Sequence, residues 1–181
     1  DQRTLEIAKA FGAPVIINSN IRDGSLRAYA AERSLPIIIY EAGEALRFDE
    51  VAIRGGIRGI LNVMRHIGML PASKRTKQIT PVIAKSTSWV RAPESGIVGG
   101  KVNLGTSVAE GQKMAVISDP LGDAETVVPA PFDGIVIGRT NLPLAHEGDA
   151  LVNLASFTDV AKAEDRVETF TEVHDVNSST A

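Results

Sequence analysis

The chain has 181 residues, of which 44% are apolar and 23% charged, with a net charge of −3 and a pI near 5.6. That length suits one large domain or two small ones, at about 100–200 residues per domain. The acidic balance gives no reason to expect nucleic acid, no apolar run reaches the roughly 18 residues of a membrane span, and the absence of cysteine excludes disulfides and thiolate metal sites.

Asp1-Gln2-Arg3-Thr4 does not open a signal peptide, and a cytoplasmic location is the default reading. Leu5, Ile7, Ala8, Ala10 and Phe11 fit a short amphipathic helix closed by Gly12. The helical pattern is under way at the first residue, without a methionine, and reads as the interior of a longer polypeptide. Pro14-Val15-Ile16-Ile17-Asn18 reads as a strand buried on both faces, and Ser19–Gly24 as a loop. Ser25 caps a helix through Leu26, Arg27, Ala30 and Ala31 to about Arg33. Pro36-Ile37-Ile38-Ile39-Tyr40-Glu41 is a second buried strand, ended by Ala42-Gly43. A longer helix from about Asp49 places Ile53, Ile57, Ile60, Leu61, Met64 and Ile67 on one face and stops at Gly68, with Pro71 beyond. Arg54, Arg58 and Arg65 share the other side, a solvated face.

Strands and helices in alternation predict a mostly parallel sheet covered on both faces over residues 1–71. Ligands in such sheets sit beyond the carboxyl ends of the strands. The loop after Asn18 and the strand end at Glu41 are therefore singled out. Residues 72–88 form a polar connection with a basic cluster of Lys74, Arg75, Lys77 and Lys85, read as a linker or a phosphate site. From 89 to about 160 short β-branched runs alternate with Gly, Pro and Asp turns, an all-β pattern. Residues 161–181 form an acidic, then polar tail, with Asn177–Ala181 expected to be disordered.

The β region repeats itself. Ala92-Pro93-Glu94-Ser95-Gly96-Ile97-Val98 returns as Ala130-Pro131-Phe132-Asp133-Gly134-Ile135-Val136, and each copy later reaches a glycine turn, Gly111 and Gly148. Two such units predict a small flattened barrel with pseudo-twofold symmetry. The double pattern resembles the biotinyl/lipoyl carrier fold, the barrel-sandwich hybrid. A carrier presents a lysine at the tip of its central hairpin, whereas the matching segment, Asp119-Pro120-Leu121-Gly122-Asp123-Ala124-Glu125, has none. A swinging-arm role is thereby disfavoured.

Glu41 follows an almost wholly apolar run. It either marks the strand's exit into solvent or is a carboxylate held at the active-site edge of a sheet, able to take a proton from water and pass it to a leaving amine. Asn20-x-x-Asp23-Gly24-x-Leu26-Arg27, then Ile39-Tyr40-Glu41-Ala42-Gly43, then Ile60-Leu61-Asn62-Val63-Met64-Arg65-His66-Ile67-Gly68-Met69-Leu70, resemble the succinylglutamate desuccinylase/aspartoacylase family of zinc carboxypeptidase-like amidohydrolases. Trp89-Val90-Arg91-Ala92-Pro93-x-x-Gly96 and Ala130-Pro131-x-Asp133-Gly134 are similar to the β domain appended to that family's catalytic domain. The series keeps its order from about residue 3 to 155.

The resemblance implies a zinc-dependent deacylase of N-acyl amino acids or related small amides, with Glu41 as its catalytic carboxylate. It also implies that the zinc ligands, a His-x-x-Glu pair and a third histidine, precede the glutamate that matches Glu41. His66, His146 and His174 all follow it, so no metal ligand is expected in this chain, which would be the carboxyl-terminal portion of the enzyme and silent alone. Arg27 would bind a substrate carboxylate bidentately or lie on a helix surface. Asn20 and Asp23 would line the pocket or serve the turn. Glu44 is a loop charge or a second pocket acid. Trp89 lines the entrance or packs in the β domain. The expected partner is a small N-acyl amino acid, with no nucleic acid and no membrane, and association between copies is compatible with an unsupported half-domain. The rival reading is a non-catalytic binding or assembly module with a lipoyl-like β domain.

Overall fold

The computed structural model describes residues 1–73 and 79–175. Two compact units result, one of residues 1–82 with the chain's end from Arg166, the other Ile83–Asp165. Among the described residues no helix is long and apolar enough to cross a membrane.

The first unit begins with α1 (Gln2–Phe11), whose N-cap Asp1 accepts from the Arg3 amide and whose last turn closes on Gly12 at φ 84°. A short strand, β1 (Val15–Ile16), pairs with β2 (Val82–Ile83), and the Val82 amide donates to the Pro14 carbonyl at 2.9 Å. After the 19–24 loop comes α2 (Leu26–Glu32), capped by Ser25 as its sequence predicts. The long helix α3 (Glu50–His66) is capped by Asp49, which accepts from the Ala52 amide, and ends in bonds from Gly68 to Arg65 and from Met69 to Met64.

Three features of this unit were not evident from the sequence pattern. Pro36–Glu41 is neither helix nor strand and joins no sheet among the described residues, where the sheet of this unit is the β1–β2 pair. The face of α3 that buries itself is not the isoleucine face. Ile53, Ile57, Ile60 and Ile67 are exposed, while Gly55 and Gly59 are buried. The reason is aromatic. A Cβ on Gly59 would lie 2.4 Å from the Phe11 ring, and one on Gly55 would lie 2.4 Å from Phe170 and 2.9 Å from the Tyr40 hydroxyl. Rings of that size reach the helix axis only where side chains are missing, so two glycines one turn apart form the packing groove. Third, the acidic stretch after residue 159 is helical: α4 (Val160–His174) places Phe170 against that groove. The expected disorder at 177–181 and the basic residues Lys74, Arg75 and Lys77 lie outside the described residues.

The second unit is two antiparallel four-stranded sheets around one apolar core. One orders β3 (Ser86–Arg91), β10 (Ala150–Ser156), β8 (Gly134–Arg139) and β5 (Ser107–Val108); the other orders β7 (Glu125–Pro129), β6 (Lys113–Ser118), β4 (Gly96–Gly99) and β9 (Leu144–Ala145). Met114, Ala115, Ile117, Leu151, Val152 and Leu154 are fully buried between them. Both copies of the sequence repeat occupy matching places. Gly96 lies on the Ser118 carbonyl and Gly134 on the Ala155 carbonyl, where a Cβ would come within 2.5 and 2.4 Å. The Gly111 amide donates to Ala130 and the Gly148 amide to Ala92, at 2.8 and 2.9 Å, so each copy's glycine turn is tied to the other copy's Ala-Pro. The repeat is thus a pseudo-twofold exchange of backbone hydrogen bonds.

Candidate functional site

Arg27 meets the loop that carries Asn20, and Asp23 lies in the turn between them in sequence. The turn at 22–25 is closed by the Ser25 amide and hydroxyl, which donate to the Arg22 carbonyl at 3.2 and 2.6 Å. That turn starts α2 and aims Arg27 back at the loop eight residues earlier. Its Nη1 donates to Ser19 Oγ at 2.8 Å and to the Ser19 carbonyl at 3.4 Å, and its Nη2 donates to the Asn20 carbonyl at 2.6 Å. A guanidinium carries five N–H donors in a planar fork, so Arg27 clamps the loop and keeps donors over. Asn20 and Asp23 are exposed.

Glu41 is exposed as well. Its place in the fold is set by the residue before it, one that the sequence reading passed over. The Tyr40 hydroxyl donates to the Ala52 carbonyl in α3 at 3.0 Å, and its ring meets Phe11 with centroids 5.0 Å apart. Burial pushes the Tyr40 phenol above its ordinary range, and the Asp49 carboxylate pushes it further. These contacts hold Tyr40 half-buried, whereas Glu41 beside it in the chain is exposed. Beyond it Gly43, at φ 75°, folds the chain back towards Asp49. The loop that follows holds Leu46 and Phe48 wholly in solvent, and its Glu44 pairs with Arg47 at 3.2 Å, a loop charge. Among the described residues no ion pair joins Arg27 to Glu41.

The histidines are dispersed. His66 is exposed in the last turn of α3, and His146 lies in the turn before β10. His174 is buried at the end of α4; its Nδ1 donates to the Phe170 carbonyl at 2.7 Å, leaving the Nε2 lone pair without a partner in the described chain. Burial lowers its pKa, the Phe170 carbonyl opposes that, and the Arg58 guanidinium adds to it. Beside it is a cavity of about 10 Å³, lined by Phe11, Arg58, Asn62 and Phe170, which is room for one water. An open groove of about 360 Å³ runs between Glu6, Lys9, His66 and Thr80. Neither space is lined by Asn20, Asp23, Arg27 or Glu41.

Two further readings concern the second unit. Trp89 in β3 is half-exposed with its indole against Gly138, so it is not a core residue, and Arg91 Nη1 donates to the Gly148 carbonyl at 2.7 Å. The hairpin joining β6 and β7 is where a carrier would show its lysine. It is closed by Asp119 Oδ1, which accepts from the Asp123 and Ala124 amides at 2.7 and 3.3 Å, and Leu121 stands at its tip.

The two units together have the fold of one group of solved structures. No protein-family model and no curated protein matches the chain. Solved structures of the succinylglutamate desuccinylase/aspartoacylase family share its fold. A succinylglutamate desuccinylase/aspartoacylase from Rhodobacter sphaeroides superposes with a TM-score of 0.75 at 24% identity, covering 86% of this chain and 50% of its own. The ectoine utilization protein EutE (DoeB) from Ruegeria pomeroyi gives 0.77 at 20%, covering 86% and 51%. An aspartoacylase family protein from Mesorhizobium loti gives 0.67 at 20%, covering 87% and 48%. The chain spans about half the length of these neighbours, and the likeness is one of fold.

Proposed function

We propose that this chain is part of an amidohydrolase that cleaves N-acyl amino acids or related small amides, with Glu41 as its proton carrier. The observation that carries the reading is the exposure of Glu41 next to the anchored Tyr40, in a chain whose structural neighbours are desuccinylase/aspartoacylase family hydrolases. In this role Glu41 takes a proton from the attacking water as the new C–O bond forms. It delivers that proton to the amine nitrogen as the C–N bond breaks. A positioned general base typically contributes about 10²–10⁴-fold. The loop and helix of Asn20, Asp23 and Arg27 would bind the amino acid's carboxylate through the donors Arg27 has left.

Zinc comes with the family resemblance, and this chain's residues do not fit it. Among the described residues no three His, Cys, Asp or Glu side chains gather as a metal site. His174 is buried with one nitrogen committed, and His66 stands on an exposed helix end. In this reading the zinc ligands belong to polypeptide outside this chain, and the chain alone is silent. Its partner is a small molecule, with no nucleic acid or membrane, in the cytoplasm.

The test is amine release from N-acetyl and N-succinyl amino acids, with the matching esters and dipeptides as controls. It is run on this chain alone and on a polypeptide that joins it to the remainder of the α/β domain. Cleavage of N-acyl amino acids by the joined form only is the expected result. Preferential cleavage of esters or dipeptides, or equal activity of the two forms, would overturn the assignment.

A further inference from the structure

The repeat of the second unit brings two cations together. Lys101 and Arg139 hold the same place in its two copies, each five residues beyond the glycine that opens the strand, Gly96 or Gly134. Each reaches across to the other copy. Lys101 Nζ donates to the Thr140 and Leu142 carbonyls at 2.8 and 2.9 Å. Arg139 Nη1 donates to the Val102 carbonyl at 3.0 Å and to Asn103 Oδ1 at 3.1 Å. The backbone repeats the exchange, with the Val102 amide on Met114 and the Thr140 amide on Leu151, both at 2.9 Å. All the acceptors of the two side chains are neutral, and neither cation forms an ion pair among the described residues. Burial lowers the Lys101 pKa, and the Arg139 guanidinium lowers it further. Arg139 Nε is buried with no partner in the described chain. A desolvated donor without an acceptor is unfavourable, and two half-buried like charges add to the strain. An anion relieves both. Aliphatic surface lies close by: Leu142 and its counterpart in the other copy, Leu104, are 69% and 57% exposed. The Leu142 carbonyl is an acceptor of Lys101, and Leu104 follows the acceptor Asn103, so each cation has an exposed leucine within one residue of its anchor.

We propose, independently of the deacylase reading, that Lys101 and Arg139 form a binding site for an oxyanion carried on an aliphatic body, a carboxylate or a phosphate monoester. Arg139 keeps its Nη2 donors as well as Nε, and Lys101 keeps its third N–H. A planar fork beside a point charge suits a group with two or more oxygens. The leucines cover the body behind it. A pair that only clamps the two copies together would be indifferent to the identity of the anion and to the leucine side chains.

The probes are hexanoate and hexyl phosphate, with hexanol as the control for the apolar part and chloride at matched ionic strength as the control for screening. Lysine side-chain resonances of the whole chain are followed by nuclear magnetic resonance. Hexanoate or hexyl phosphate should shift the Lys101 resonance saturably at about millimolar concentration. The pH at which Lys101 titrates should then rise by about half a pH unit, because a neighbouring anion favours the ammonium form. Whichever probe binds more tightly names the source of the oxyanion. Arg139→Gln should weaken binding about tenfold. That change also removes a clamp, so Leu142→Ala, at an exposed side chain, serves as the second variant and should weaken binding about threefold. A shift reproduced by chloride or by hexanol overturns the proposal. So does a Lys101 resonance that does not saturate by about 50 mM, or a Leu142→Ala protein that binds like the wild type.

Discussion

Replacing Gly55 by alanine tests how Glu41 is held. The added methyl would sit 2.4 Å from Phe170 Cζ and 2.9 Å from the Tyr40 hydroxyl, both too close to stand. At an open helix position the same change stabilises by about 1 kcal/mol through helix propensity. Here overpacking costs about 1–3 kcal/mol, and a displaced Tyr40 loses its bond to the Ala52 carbonyl, about 0.5–1.5 kcal/mol. The net is a destabilisation of about 1–3 kcal/mol. Urea unfolding followed by far-ultraviolet circular dichroism reports the first unit, which holds α1, α2 and α3. Fluorescence of Trp89, in the second unit, should not move. A Gly55→Ala protein with an unchanged or raised helical midpoint would refute the packing of Tyr40 and Phe170 on the glycine groove, and with it the positioning of Glu41.

Arg27→Ala should free the Ser19–Asn20 loop, at about 1–2 kcal/mol for hydrogen bonds from a half-buried cation, seen as faster amide exchange there. Arg27→Lys should recover less than half of that, because an ammonium cannot span two acceptors as a planar fork does. His174 makes the first unit acid-sensitive. Its folded pKa lies below the unfolded value of about 6.5, so its contribution is intact above that pH and is lost as pH falls towards the folded pKa. The slope is about 1.4 kcal/mol per pH unit. Urea midpoints across this window, compared with His174→Gln, should show the slope in the wild type and lose it in the variant. Gly134→Ala drives a methyl to 2.4 Å from the Ala155 carbonyl, which cannot yield as a side chain can. It should cost about 2 kcal/mol or more, read by Trp89 fluorescence.

The sequence made the second unit legible because its signal is local. Pro-x-x-Gly turns and β-branched runs recur, and both copies of the repeat fall on matching strands. Helix ends were equally plain, since Asp49 and Ser25 act through bonds to amides three positions away and Gly12 through its own left-handed backbone. The first unit was harder because isoleucines in helical spacing do not say whether anything covers them. The glycines of α3 were the better clue: Gly55, Gly56 and Gly59 inside one helix cost about 1 kcal/mol each against alanine, which only close packing offsets. Tyr40 was overlooked for a related reason. Its role rests on Ala52 and Phe11, both distant in sequence, whereas Glu41 drew notice by its charge. The clamp of Arg27 on the Ser19–Asn20 loop was not legible either, since it rests on a turn that aims the side chain back eight residues.

The most direct measurement of the central claim is the rate of amine release by Glu41→Gln in the polypeptide that joins this chain to the rest of its α/β domain. Glutamine keeps the shape of an exposed side chain and removes its capacity to accept and return a proton. A fall in kcat of about 10²–10⁴-fold, with KM nearly unchanged, is the result expected of a proton carrier. A kcat within about twofold of the wild type would show that Glu41 only marks the end of the segment at residues 36–40, and the deacylase assignment of this chain would fall with it.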